Sequence, residues 1–316
     1  MSPRPRVVFF GTPSFAVPCL AALPDVADVV AVVCQPDKPA GRGNVITAPP
    51  VKRWAEERGI PVSQPVKLRD GTFAAWLQGL APDLAVVVAY GRILPPDVLA
   101  IPRLGCVNVH ASVLPRHRGA APINWAILKG DDATGVTLMQ MDAGLDTGPM
   151  LAVRHTPIDL HETAIDVSQR LQALGAELLR EEIPRLVAGQ LTPVAQDESQ
   201  HTLAPLMNKE MSRIDWNRSA RAVHDQVRGL QPWPGASTTL GARRLIVNAT
   251  RLDDPPSVLG GAPGEVVAVQ KDRVWVATRE GLVAITEVQL EGKRRMPMRE
   301  FLGGHPMRTG TLLGTE

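Results

Sequence analysis

A chain of 316 residues with 44% hydrophobic and 21% charged side chains is long enough for two domains and apolar enough for a sizeable core, which excludes a disordered or fibrous polypeptide. The net charge of +2 is far from the strongly basic footprint of a protein that grips nucleic acid by charge alone. The small excess is confined to one part: residues 1–206 carry 18 basic against 20 acidic side chains, and residues 207–316 carry 16 against 12.

The first apolar run, Val7 to Phe10, is too short for a secretory signal or a membrane span, and reads as a buried first strand. Strand-like runs follow at Val29–Cys34, Leu84–Ala89, Cys106–Val109 and Gly135–Met141, Val-rich and apolar almost throughout, as strands covered on both faces are. Helical stretches lie between them at Phe15–Leu23, Val51–Arg58, Phe73–Leu80 and Ile123–Lys129. A longer helix is expected over Thr163–Val187, where Ala164, Val167, Leu171, Leu174 and Leu178 step by three and four along one face. This alternation predicts an α/β domain with a doubly wound, mostly parallel sheet. Residues 196–212 are polar and read as a linker. A short helix at Ser219–Arg228 and β-like runs at Leu245–Ala249, Gly264–Ala268, Arg273–Thr278 and Leu282–Leu290 then predict a small all-β barrel or sandwich.

In an open α/β sheet, ligands bind beyond the carboxyl ends of the strands, so the loops there carry the chemistry. The first loop, Gly11-Thr12-Pro13-Ser14, is not a dinucleotide fingerprint: it has one glycine, followed by a proline with no N–H to offer a phosphate. No Gly-x-x-x-x-Gly-Lys-Ser/Thr loop is present either. Asn108 and His110 stand two apart at a strand's carboxyl end. An amide and an imidazole so placed either hold a carbonyl oxygen that becomes an oxyanion, or form a satisfied polar pair capping the strand. Met141 to Gly148, with Asp142, Asp146 and two glycines, follows another strand and is expected at the same sheet edge. There Asp146 either orients His110 or belongs to an Asx-stabilised turn.

Covalent and metal chemistry fit poorly. Cys106 lies inside an apolar run, and Ser112 lacks a Gly-x-Ser-x-Gly elbow. The three cysteines, Cys19, Cys34 and Cys106, make neither a disulfide framework nor a zinc pattern, and suit a reducing cytoplasm. His155, Asp159 and His161 match no zinc spacing, and no metal is expected. The loop Gln35 to Gly43 is long and basic, with Arg42 between two glycines, and reads as a disordered connection or a binding loop. Lys293, Arg294 and Arg295 form a second basic cluster, which is either a solvated surface or a phosphate contact.

Taken together these residues resemble the folate-dependent formyltransferase family. The likeness rests on Asn108-x-His110, Ser112-Val113-Leu114-Pro115, Arg118-Gly119 and Asp146. It extends through Ala89 to Pro95, Leu145 to Gly148, Arg213 to Trp216, Arg228 to Pro234 and Leu290 to Lys293, in order over nearly the whole chain. Two positions depart: Val113 stands where the family has a Leu, and Leu206 where its linker has a Lys, which leaves Lys209 as the cation of that stretch.

The resemblance implies a Rossmann-like catalytic domain over residues 1–195, a linker over 196–212 and an OB-like β-barrel that binds tRNA over 213–316. It implies that a formyl group moves from 10-formyltetrahydrofolate, without a metal, to the amine of methionine on initiator tRNA. In that scheme Asn108 and protonated His110 hold the oxyanion and Asp146 helps move the proton. Ile93, Leu94, Pro95, Ser112, Val113, Leu114, Pro115 and Asp142 would line the folate site, and Arg42, Lys209, Lys293, Arg294 and Arg295 would meet tRNA. The protein would be a cytoplasmic monomer that does not bind membranes. The competing expectation within the family is an enzyme that formylates a 4-amino-sugar nucleotide.

Overall fold

The computed structural model describes residues 4–40, 43–257 and 260–314. The chain forms two compact units. The first takes Met1–Pro122, Thr134–Thr156 and Ser168–Ala204; the second takes Ile123–Ala133, Pro157–Val167 and Pro205–Glu316.

In the first half the elements run β1 (Arg6–Gly11), α1 (Val17–Ala22), β2 (Asp28–Val33), β3 (Lys38–Ala40), β4 (Val45–Thr47), α2 (Pro50–Glu56), β5 (Val62–Ser63), α3 (Thr72–Gly79) and β6 (Leu84–Val88). They continue with α4 (Pro96–Leu99), β7 (Cys106–His110), β8 (Arg118–Gly119), α5 (Pro122–Leu128), β9 (Ala133–Gln140), β10 (Met150–Pro157), α6 (Ala164–Val187) and β11 (Leu203–Ala204). Seven strands make one sheet in the order β10-β9-β7-β6-β1-β2-β5. Strands β7, β6, β1, β2 and β5 are parallel, while β9 runs antiparallel to β7, with His110 opposite Thr137 and Val107 opposite Gln140.

Both faces of the parallel part are covered, which is why its strands are apolar at successive positions. Val8, Phe10, Ala31, Val33, Ala85, Val87 and Cys106 pack with Phe73 and Leu77 of α3 and Val98 of α4. On the other face Gly175 of α6 lies against Cys19 of α1 and Val109 of β7. The strand order reverses between β1 and β6, and the loops after β1, β2, β6 and β7 all leave from one edge. Such a reversal opens the crevice in which open α/β sheets bind ligands.

The stretch Gln35 to Gly43, expected as an irregular loop, is partly a two-stranded ribbon: Lys38, Pro39 and Ala40 pair with Thr47, Ile46 and Val45. Its Arg42 lies outside the described residues.

The second unit contains α7 (Ala220–Gly229), β12 (Ala236–Leu240), β13 (Arg243–Arg251), β14 (Val266–Val269), β15 (Val274–Ala277), β16 (Leu282–Leu290), β17 (Met296–Pro297) and α8 (Met298–Gly304). Its antiparallel sheet has the order β12-β13-β16-β15-β14, with β17 paired to β16. The chain then returns to both edges of that sheet. Leu313 bridges Leu240 at the end of β12, and Leu312 bridges Glu265 just before β14. Unpaired strand edges are an aggregation hazard, and this return pairs with one end of each, while Arg213 bridges Ser237 further along β12. Val223 and Val227 of α7 and Met298 and Phe301 of α8 fill the interior beside Leu245, Val247, Ile285 and Val288.

One face of α7 meets the segment that enters α6. Arg228 donates to the carbonyls of Asp159 and Glu162, and its Nε pairs with Asp225 at 2.8 Å. His224 is buried, with Nε2 2.8 Å from the carbonyl of Leu160 and Nδ1 2.8 Å from the hydroxyl of Thr250. A carbonyl only accepts, so Nε2 carries the proton and Nδ1 accepts from Thr250. Burial pulls the His224 pKa down to about 4. The neutral ring is therefore the native form, and its contribution to stability is complete above about pH 6.5. That contribution falls away as the pH drops from 6.5 towards 4, by up to roughly 3 kcal/mol. Urea unfolding across this range should show the decline, and His224→Gln should flatten it.

Candidate active site

Strand alternation puts Asn108 and His110 on the same face of β7, and Asn108 lies one pleat beyond Cys106, where the α3–α4 core ends. His110 is buried. Its Nε2 lies 2.9 Å from the carbonyl of His117, so that nitrogen donates and Nδ1 is the free face of the ring. Nδ1 lies 3.6 Å from Oδ2 of Asp146. That is an ion-pair distance rather than a formed hydrogen bond. The side-chain amide of Asn108 donates to Asp146 Oδ1 at 3.4 Å, and the backbone N–H of Gly119 donates to Oδ2 at 2.9 Å. Residues 108, 110 and 146, singled out by type and position, thus meet around one carboxylate.

The route by which Asp146 arrives differs from the expectation. Because β9 is antiparallel to β7, its end at Gln140 lies beside Val107, away from the carboxyl edge. The loop between β9 and β10 therefore has to fold back to bring Asp146 to Asn108 and His110. Several features shape it. Asp142 Oδ1 accepts from the N–H of Gly144 and from the hydroxyl of Thr147, closing an Asx turn. Asp146 itself has a left-handed backbone, φ +54°, which costs an L-residue roughly 1–2 kcal/mol. Gly148 packs so closely that a Cβ would stand 1.9 Å from the carbonyl oxygen of Gln140.

A second group of residues fastens this loop, and residue type and spacing alone did not flag it. Gln196, in the stretch read as linker, donates to the carbonyls of Asp146 at 2.8 Å and Gly148 at 2.7 Å. Its Oε1 accepts from Nε and Nη2 of Arg118 at 3.0 and 2.8 Å, and Arg118 pairs with Glu198. The backbone follows suit: β11 pairs in parallel with β8. Gly119, at φ +127°, leaves only 2.6 Å between a would-be Cβ and the carbonyl oxygen of Ala204. A polar stretch with few apolar positions gives no periodic signal for such contacts, and only the pairing reveals them.

The turn after β6 is braced from neighbouring strands. Thr12 Oγ1 and Gln35 Nε2 both donate to the carbonyl of Tyr90 at 3.0 Å, and Arg92 donates to the carbonyls of Pro65 and Val66. Leu94 and Pro95 are buried, whereas Ile93 projects into solvent. Ser112 is fully buried and its hydroxyl donates to the carbonyl of Arg116 at 2.6 Å, so it is committed to the loop. Val113, Leu114 and Pro115 follow it there, with the N–H of Leu114 donating to Thr137.

The basic residues singled out for nucleic acid lie in the second unit, apart from Arg42. Lys209 and Lys293 are exposed. Arg294 pairs with Glu300 and Arg295 with Glu287. Of the histidines considered for metal binding, His155 stands in β10, and His161 pairs with Asp253 at 3.1 Å.

Comparison with known proteins now bears on this geometry. A formyl transferase family model matches residues 5–183, and a model of the formyl transferase C-terminal domain matches residues 206–306. The methionyl-tRNA formyltransferase of Sorangium cellulosum is 50% identical over 309 residues, covering 98% of this chain and 99% of its own. That of Myxococcus xanthus is 51% identical over 308 residues, covering 98% and 97%. The chain belongs to the methionyl-tRNA formyltransferase family. Among solved structures, WlaRD, a sugar 3N-formyltransferase, superposes with a TM-score of 0.69 at 17% identity, over 93% of this chain and 100% of that one. HypX from Aquifex aeolicus, in complex with tetrahydrofolic acid, gives 0.62 at 22% identity over 99% of this chain and 51% of that longer one. Both share the fold of this family member.

All three cysteines are buried. Burial raises the thiols of Cys19 and Cys106 to about 12, and that of Cys34 to about 11. A thiolate is the nucleophilic form. Iodoacetamide at pH 8 should therefore leave the folded protein unlabelled, which intact-mass spectrometry would register. Gly148→Ala should cost roughly 1–3 kcal/mol in urea unfolding, because the obstacle is backbone and cannot rotate away.

Proposed function

We propose that formyl transfer takes place at Asn108, His110 and Asp146, from 10-formyltetrahydrofolate to the α-amine of methionine on initiator tRNA. The observation that carries this reading is the convergence of an amide, an imidazole and a backbone N–H on one carboxylate. The amine attacks the formyl carbon, the new C–N bond forms, and the carbonyl π electrons move to oxygen. Asn108 and His110 stabilise that oxyanion. With Nε2–H held by His117, the donor on His110 must be Nδ1–H, so the ring works as an imidazolium with Asp146 as its counter-charge. Asp146 takes the proton from the attacking nitrogen and passes it, directly or through water, to the folate nitrogen. The C–N bond to that nitrogen then breaks, leaving N-formylmethionyl-tRNA and tetrahydrofolate.

The folate donor lies along the loops after β6 and β7, from Ile93 to Pro95 and Ser112 to Pro115, with Asp142 at the margin. The crevice at the strand-order reversal supports that placement. The catalytic part spans residues 1–195. The β-rich part, residues 213–316, follows the tRNA backbone with Lys293, Arg294 and Arg295. Arg42 serves the acceptor stem, and Lys209 supplies a phosphate contact from the linker. Glu300 and Glu287 share Arg294 and Arg295 with the phosphates, so their contribution to binding is strongly salt-dependent.

The test is formyl transfer from 10-formyltetrahydrofolate with charged initiator Met-tRNA or a 4-amino-sugar nucleotide as acceptor. Formylation of the tRNA alone is expected, and formylation of the sugar alone would overturn the acceptor assignment. Asp146→Ala should lower kcat by roughly 100- to 10,000-fold, with tRNA affinity in a filter-binding assay nearly unchanged. Equal loss of binding and turnover would remove Asp146 from the proton path.

A further inference from the structure

Asp146 has a left-handed backbone on a loop that folds back to Asn108 and His110 of β7, so its carboxylate needs something to hold the loop in register. The side chain of Gln196 meets that need with its full hydrogen-bonding capacity. Its amide group donates to the carbonyls of Asp146 and Gly148, two residues apart. Its oxygen accepts two bonds from Arg118. The orientation of the amide is unambiguous, because carbonyls only accept and a guanidinium only donates. Both side chains are buried, Gln196 at 9% and Arg118 at 4% exposure. Arg118 in turn is anchored by Glu198, and the Glu198 carboxylate beside it raises the Arg118 pKa further. The next residue, Gly119, gives its backbone N–H to Asp146 Oδ2. One network therefore holds Asp146 from behind through its main chain and from the front through its carboxylate.

We infer that Gln196, held by Arg118, is a positioning residue for formyl transfer: it sets the Asp146 carboxylate against Asn108 and His110. The inference rests on the reading of Asp146 as the acting carboxylate. Gln196 touches no substrate in this scheme. Its removal leaves every group at the reaction centre chemically intact and lets the carboxylate drift, which lowers kcat and spares KM.

The test uses Gln196→Glu and Gln196→Ala in the full chain, each alone and in an Asp146→Asn background. Melting temperature, kcat, and KM for 10-formyltetrahydrofolate and Met-tRNA would be measured for each. Gln196→Glu keeps the size and the acceptors for Arg118 but turns the N–H donors into an oxygen that faces the two carbonyls, and Gln196→Ala removes the bonds without that repulsion; the melting temperature of each reports whether the fold is retained. Both single variants should lose roughly 10- to 100-fold in kcat with little change in either KM, since an ångström of misplacement has that effect. In the Asp146→Asn background neither should lower kcat further, because coupled residues act as a unit. An unchanged kcat in Gln196→Glu overturns the inference. So do a rise in KM alone, a further loss in the Asp146→Asn background, or a fall in melting temperature in step with activity in both variants. If Asp146→Asn itself keeps full activity, the underlying assignment of the carboxylate fails, an outcome distinct from failure of Gln196.

Discussion

The Asp146 carboxylate is the point at which otherwise separate parts of the first unit meet. Asn108 and His110 reach it from β7, Gly119 from β8, and Gln196 holds its main chain from the stretch before β11. A half-buried carboxylate needs donors on its oxygens, because desolvation without them costs several kcal/mol. The requirement runs in both directions: the donors fix the carboxylate, and the carboxylate draws three segments together. The positive φ of Asp146 and the absence of room for a side chain at Gly148 are the local conditions under which the loop reaches this arrangement.

The sheet supplies the frame. Parallel neighbours β2, β1, β6 and β7 send their following loops to one edge, and the reversal of order between β1 and β6 leaves a crevice there. Thr12, Gln35 and Arg92 tie the turn after β6 to adjoining loops, so that the exposed Ile93 sits on a braced backbone. The second unit solves a different problem. A small antiparallel sheet exposes its edges, and the return of the chain at Leu312 and Leu313 pairs with one end of each. Its interior then forms around α7 and α8, with the polar face of α7 satisfied by Arg228 and His224 on the carbonyls that precede α6.

Much of this was legible because burial leaves a pattern. Strands β1, β2, β6 and β7 are Val-rich and mostly buried, and their ends agree with the expected ones to within a residue or two, whereas the two-residue parallel strand β5 carries no such run and was not expected. The long helix α6 follows its three-and-four stripe, with Val167, Leu171 and Leu178 buried. Elements without such a pattern were missed. Strand β10 is only partly buried along Met150–Pro157, and its residues do not alternate. Strand β3 carries a proline, and in β4 Val45 and Ile46 face solvent, which is the reverse of the usual strand signal. That Asp146 follows a strand leads to the expectation that it lies at the same sheet edge as His110. The two residues do meet, but through a loop that folds back from an antiparallel strand.

The sequence by itself determined the chemistry available: which side chains can donate, accept or carry charge, which runs must be buried, and through its motifs which family the chain belongs to. These are properties of residue type and order, and they survive without coordinates. Only the tertiary structure decided how those groups are aimed. The direction of β9 relative to β7 and the saturation of Gln196 depend on contacts between residues distant in sequence, while the commitment of His110 Nε2 to a carbonyl and the pairing of Arg294 and Arg295 with carboxylates join residues six to eight positions apart through the path of the turns between them. They arise because a buried polar group takes the partner that folding brings within about 3 Å, and no local pattern encodes which partner that will be.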